Sequence, residues 1–181
     1  MTTFSPEKSV LLVVDVQGKL AHLMHEKEKL FHNIQALIRS AEHLAIPIIH
    51  TEQAPEKIGE TIPEIADLLK GKEPFKKSTF SCCGDDKFMR TLKSLFRKQI
   101  IVVGIEAHVC VCQTVSDLLS RSFQVQVVAD AVSSRTVENK QFALERMRDF
   151  DAVIASTEMI VTELLKDSRH PKFREILSLI R

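Results

Sequence analysis

The chain contains no tryptophan and no tyrosine; its 10 phenylalanines are the whole aromatic set. Phenol and indole chemistry are therefore excluded. With 5 Gly and 6 Pro in 181 residues, the chain is not of low complexity or disordered type. Neither GxGxxG nor GxxxxGK[ST] occurs, so neither phosphate-loop signature is present. No sign of charge dominates. Lys+Arg is 25 against 24 for Asp+Glu, a formal net charge of +1. A general nucleic-acid binder carries a basic excess, so no nucleic-acid partner is expected. The longest apolar run, Val10–Val14, falls far short of the roughly 20 residues of a membrane span, so no membrane partner is expected either. Only 4 cysteines occur, Cys82, Cys83, Cys110 and Cys112, and no CxxC pair among them. Two adjacent and two alternate thiols are not a disulfide framework. Met1–Ser9 has no apolar segment of the kind a secretory leader needs. Both features predict a reducing, cytoplasmic location, with which a cryptic organellar import signal remains compatible.

What is present is alternation. Val10–Val14, Ile46–Ile49, Ile100–Val103, Val125–Val128 and Ala152–Ala155 are short, nearly all-apolar runs, as expected of strands buried on both faces. Pro47 fits poorly inside such a strand, because proline removes a ladder donor. Helical spacing separates the runs. Leu30, Ile34, Leu37, Ile38, Ala41 and Leu44 share one helix face. Thr61-Ile-Pro-Glu64 reads as a capping box opening a helix. Phe88, Leu92, Leu95 and Phe96 mark another helix, and Val111, Thr114, Val115, Leu118 and Leu119 a helix that starts close to Cys110. Leu144 and Met147 precede the last strand, and Phe173, Ile176, Leu177 and Ile180 follow it. A short strand ending near Lys77 is compatible with the polar stretch Lys70–Ser81. Strand–helix alternation of this kind predicts an α/β domain over residues 1–181, a parallel sheet with helices on both faces.

In open parallel sheets function collects at the carboxyl ends of the strands. Asp15 directly follows the first apolar run and reads either as a turn residue or as an acid or base at the sheet edge. Cys110 stands near a helix start, where a thiolate is stabilised, but a buried free cysteine is as often structural. Lys77 forms a basic pair with Lys76, which reads equally as a solvated surface pair. Glu52 and Gln53 follow the second run, and His108 lies two residues before Cys110. His22, His25, His32 and His43 do not build a metal face.

Three segments carry a resemblance. Leu11-Leu-Val-Val-Asp15-Val-Gln17, Lys77-Ser-Thr-Phe-Ser81 and Val103-Gly-Ile-Glu-Ala-His-Val-Cys110-Val111 resemble the isochorismatase-like cysteine hydrolase superfamily. Thr51-Glu-Gln53, Val128-Ala-Asp130-Ala-Val-Ser-Ser-Arg135 and His170-Pro-Lys-Phe-Arg-Glu-Ile are similar to its isochorismatase domain-containing branch. The resemblance implies a three-layer α/β/α, Rossmann-like fold with a six-stranded parallel sheet. It also implies an Asp–Lys–Cys triad on Asp15, Lys77 and Cys110, with Lys76 the competitor for the lysine. A non-proline cis peptide at Ile105–Glu106 and an oxyanion hole from the backbone N–H groups of Glu106 and Cys110 are implied as well.

The expected chemistry is cofactor-independent hydrolysis of a small amide, ureido or related C–N bond. Gln17, Glu52, Gln53 and His108 are candidate substrate-binding residues. The metal site of the nicotinamidase branch uses an Asp-x-His pair where this chain has Thr51-Glu-Gln53, so no bound metal is expected. Small α/β enzymes favour symmetric homo-oligomers, here a dimer or tetramer. The alternative is a non-catalytic binding or scaffold protein on the same fold, which a filled pocket over Cys110 would favour.

Overall fold

A computed structural model describes residues 3–180. Its six strands are β1 (Ser9–Val14), β2 (Ile48–Gln53), β3 (Phe75–Lys77), β4 (Gln99–Ile105), β5 (Gln124–Ser133) and β6 (Val153–Ala155). All pair in parallel, in the order β3-β2-β1-β4-β5-β6. Between β1 and β4 the winding reverses, and there a doubly wound sheet opens the crevice in which ligands bind.

β1 shows why the strands are apolar throughout. Leu11 and Val13 enter one core, Val10, Leu12 and Val14 the other, so each successive side chain finds a dry face. The first core is closed by α1 (Gly18–Ala21), α2 (Lys27–His43), α4 (Pro63–Ala66), α8 (Thr157–Leu165) and α9 (Phe173–Leu177). α5 (Asp86–Ser94), α6 (Cys112–Ser120) and α7 (Val137–Asp149) close the second. A four-residue helix, α3 (Pro55–Ile58), follows β2. The spacing reading of α2 holds, with Leu30, Ile34, Leu37, Ile38 and Ala41 buried on one face.

Several local expectations change. Pro47 lies just outside β2 and uses only its carbonyl, which accepts from Leu11 N–H at 3.0 Å. β2 begins at Ile48 and runs on to Gln53, so the polar residues His50–Gln53 are strand rather than loop. The Thr61–Glu64 capping box does not form. Ile62 occupies the cap position, and Thr61 turns its N–H and hydroxyl to the Glu52 carboxylate instead, each at 2.8 Å. Phe96 leaves the helical face after α5 with φ +54° and is 93% exposed. β5 is longer than its apolar run and irregular: Val102 pairs with Val127, but Gly104 with Val132. Asp130 sits in that bulge and ties β5 to α8 by accepting from Thr157 N–H and Oγ at 2.8 and 2.9 Å.

Gly104 allows β1 and β4 to meet at the crevice. It has φ +116°, and a Cβ there would lie 2.1 Å from the Val14 carbonyl oxygen. Only glycine tolerates both the angle and the approach.

Candidate active site

The crevice gathers side chains from four strand ends. Asp15 leaves β1 in the left-handed region at φ +49°, with its N–H donating to the Thr51 carbonyl at 3.2 Å. Its Oδ1 accepts from Thr51 Oγ1 at 2.7 Å and its Oδ2 from Lys77 Nζ at 2.6 Å. The ion pair is almost dry, the two side chains being 1% (Lys77) and 5% (Asp15) exposed. Lys77 Nζ is held further by Gln53 Oε1 at 2.8 Å and by the carbonyls of Phe80 and Thr79 at 3.1 and 3.2 Å. Buried charges persist when they are paired and hydrogen-bonded in this way. Strand period decides between the two lysines. Lys77 closes β3 on the Asp15 side, whereas Lys76 is exposed and borders a different cavity.

Cys110 lies in a π-helical turn, Ala107–Val111, between β4 and α6, and is 7% exposed. Together with Asp15, Gln17, Gln53, Phe80 and Glu106 it borders a cavity of about 140 Å³. Burial raises the Cys110 thiol pKa, the Asp15 carboxylate raises it further, and Lys77 opposes both. Desolvation and a neighbouring anion thus act against the thiolate that a helix start would favour. Cys82 is fully buried and pushed up to about 11, and Cys83 to about 12, mainly by burial. All four thiols are unpaired.

The Ile105–Glu106 peptide is cis. The Glu106 carbonyl accepts from Val109 and Val111 N–H at 3.0 and 3.2 Å, which folds the turn around Cys110. The Glu106 carboxylate meets Arg135 Nε at 3.0 Å, and the arginine side chain is 56% exposed.

The four expected substrate contacts separate. Gln17 and Gln53 border the Cys110 cavity. Gln17 is consumed by backbone partners: Oε1 accepts from Gln53 N–H at 2.6 Å and Nε2 donates to the Gly59 carbonyl at 2.6 Å. Gln53 spends its oxygen on Lys77 and its nitrogen on the Ser78 carbonyl at 2.8 Å. Glu52 faces the opposite side of β2, toward Thr61. His108 Nδ1 pairs with Ser134 Oγ at 2.9 Å and borders a hollow beside Cys112. Thr51 is the contributor that sequence reasoning did not single out for a role, whereas Arg135, expected to organise the loop after the fifth strand, meets the Glu106 carboxylate. Thr51 shares a strand face with Gln53, a signal available only once β2 is known to extend that far. Among the described residues, no three His, Cys, Asp or Glu side chains are grouped to hold a metal ion.

The isochorismatase domain family model matches residues 9–159. Isochorismatase domain-containing protein 2 of Danio rerio is 37% identical over 177 residues, 97% of this chain and 88% of its own. A solved structure from Caenorhabditis elegans, described as MAR1 ribonuclease, is 39% identical with TM-score 0.93, covering 99% of this chain and 92% of that one. The Escherichia coli YcaC gene product, described as an octameric hydrolase of unknown specificity, shares the fold at 23% identity and TM-score 0.89, covering 98% and 96%.

Proposed function

The chain belongs to the isochorismatase family, and from that premise we propose that it is a cysteine hydrolase of small C–N substrates such as amides or ureido compounds. One observation carries the reading: Asp15, ion-paired to the buried Lys77, and Cys110 border the same small cavity.

The resting nucleophile is a thiol, since its pKa is raised. Attack therefore needs a base at the moment of reaction. Cys110 Sγ bonds to the carbonyl carbon while Asp15 accepts the thiol proton. The backbone N–H groups of Glu106 and Cys110 receive the developing oxyanion. Collapse breaks the C–N bond, and the leaving nitrogen takes the proton back from Asp15. Water, deprotonated by Asp15, then cleaves the thioester and restores the thiol. The Lys77 ammonium, paired to Asp15, supports each anionic state. The steps balance with water alone and call on no cofactor.

Cavity size sets the substrate class. About 140 Å³ equals roughly five water volumes at ~30 Å³ each, which suits an acyl group of a few heavy atoms. That space, with a formal net charge of +1, favours a small molecule over an RNA chain, despite the description of the C. elegans relative. The open cavity also favours an enzyme over a scaffold. We read residues 1–181 as one cytoplasmic domain that assembles as a dimer or tetramer; the E. coli relative is described as octameric. No helix among the described residues is long and apolar enough to cross a membrane.

The test is ammonia or amine release from a panel of short amides and ureas, with intact-mass detection of an acylated Cys110. Cys110→Ala and Asp15→Asn abolish release while circular dichroism stays unchanged. Hydrolysis by Cys110→Ala at the wild-type rate sinks the mechanism.

A further inference from the structure

The cavity over Cys110 has an apolar wall and little free polarity. Leu20, Ile58, Phe80, Ile105 and Val109 supply the wall, from α1, α3, the loop after β3, the end of β4 and the π-helical turn. The two glutamines that border it are used internally. Gln17 donates both N–H groups, to the carbonyls of Gly59 at 2.6 Å and Gln53 at 3.3 Å, and its oxygen accepts from Gln53 N–H. Gln53 gives its oxygen to Lys77 and one N–H to Ser78. Beside Asp15 and Cys110, that leaves the second N–H of Gln53 and the second oxygen of Glu106. A polar substituent entering here gives up its water and finds too few partners to replace it.

Among the described residues, no cationic side chain borders this cavity. The Lys77 ammonium is saturated by four acceptors, and Arg135 meets Glu106 from outside. An acyl group carrying a carboxylate would therefore be buried beside Asp15 and Glu106 without a counter-charge of its own. Phe80 stands apart from the rest of the wall. It is 55% exposed, and among the described residues it is the one exposed large hydrophobic that borders this cavity; Phe96 and Phe142 do not. Its backbone is tethered, since the Phe80 carbonyl accepts from Lys77 Nζ at 3.1 Å and Thr79 Oγ1 donates to the Ser81 carbonyl at 2.8 Å. A ring held at a cavity mouth with much of its surface in water gains when an apolar group covers it. We propose that the cavity selects a short, uncharged aliphatic acyl group and that Phe80 is the specificity-determining wall. The inference rests on the hydrolase reading for its chemistry. It narrows that reading to carboxamides of small aliphatic acids, over ureido compounds, whose extra nitrogen would bring an N–H to an apolar wall.

Isovaleramide, malonamide and malonamate have equal numbers of heavy atoms and differ in the end they present: a pair of methyls, a neutral amide or a carboxylate. Each is titrated against alkylation of Cys110 by iodoacetamide, read by peptide mass spectrometry, with ammonia release followed in parallel. Isovaleramide should protect Cys110 saturably, at concentrations about tenfold below malonamide, the scale of a pair of buried methyls at roughly fourfold each. Malonamate should not protect. Phe80→Ala should lower the preference for isovaleramide over malonamide about fivefold. Phe80→Leu, which keeps an apolar wall, should retain most of it. Equal protection by all the amides, preference for malonamate, or no saturable protection overturns the selection. An unchanged preference in Phe80→Ala, or a loss equal for isovaleramide and malonamide, overturns the role of Phe80. Selective protection without ammonia release refutes the hydrolysis and leaves the acyl selection standing, whereas ammonia release without selectivity does the reverse.

Discussion

Replacing Lys77 by methionine removes the cation and keeps most of the stem volume. The ammonium has four partners, Asp15, Gln53 and the carbonyls of Thr79 and Phe80. With both side chains 5% exposed or less, the pair is outside the surface class worth only about 0.2–1 kcal/mol. Its loss leaves the Asp15 carboxylate in a dry crevice with the Thr51 hydroxyl and the Cys110 thiol as its remaining side-chain partners. Stranding a buried charge this way costs about 3–5 kcal/mol. At a urea slope of about 2 kcal/mol per molar, the unfolding midpoint falls by roughly 1.5–2.5 M. The Asp15→Asn/Lys77→Met double variant carries no stranded charge and should be more stable than Lys77→Met alone. Urea titrations of the two single variants and the double give the coupling directly. A single-variant loss below about 1 kcal/mol, or single losses that simply sum to the double, would refute the view that these charges depend on each other.

Three further outcomes follow from the geometry. Asp15 raises the Cys110 pKa and Lys77 lowers it, so Asp15→Asn should alkylate Cys110 faster than wild type at pH 7–8 while losing turnover; slower alkylation contradicts the assigned charges. Wild-type Cys110 alkylation should keep rising with pH beyond the ordinary thiol range, because its folded pKa is raised; a plateau near pH 7 would mean a preformed thiolate. Gly104→Ala forces a Cβ to 2.1 Å from the Val14 oxygen at φ +116°. A cost of about 3 kcal/mol or more lowers Tm by roughly 6–12 °C in a chain of this size, measurable by calorimetry, and an unchanged Tm would show that the strands can part there freely.

The central strands were readable because β1 and β4 are dry on both faces, which only apolar residues allow. Asp15 and Cys110 stood out as polar interruptions at their ends. The edge was harder to read. β3 is three residues long and half polar, so Lys76 and Lys77 could be separated only by the face each one occupies. The same period-2 rule splits Glu52 from Gln53, a distinction that needs to know how far β2 continues. Thr61 shows a local motif losing to a tertiary partner, since its hydroxyl meets Glu52 before any helix end. The Cys110 environment was hidden for another reason. A helix start can be read from sequence, but the anion beside the thiol comes from a residue 95 positions away and the burial from the packed walls of the crevice.

Asp15, Lys77 and Cys110 are anchored unequally. Asp15 and Cys110 hang from adjacent inner strands, β1 and β4, whereas Lys77 ends the outermost strand, paired on one side only, through Thr51, Glu52 and Gln53. Edge segments with few pairings open far more often than the interior, in local excursions that leave the rest of the sheet intact. Amide exchange should therefore be fast across Phe75–Lys77 and slow in β1 and β4. Each such opening would lift the ammonium off Asp15. In the proposed hydrolysis, the fraction of time the site is competent would then follow the fraying of a three-residue strand, and a partner that pinned that edge would raise activity without touching Cys110.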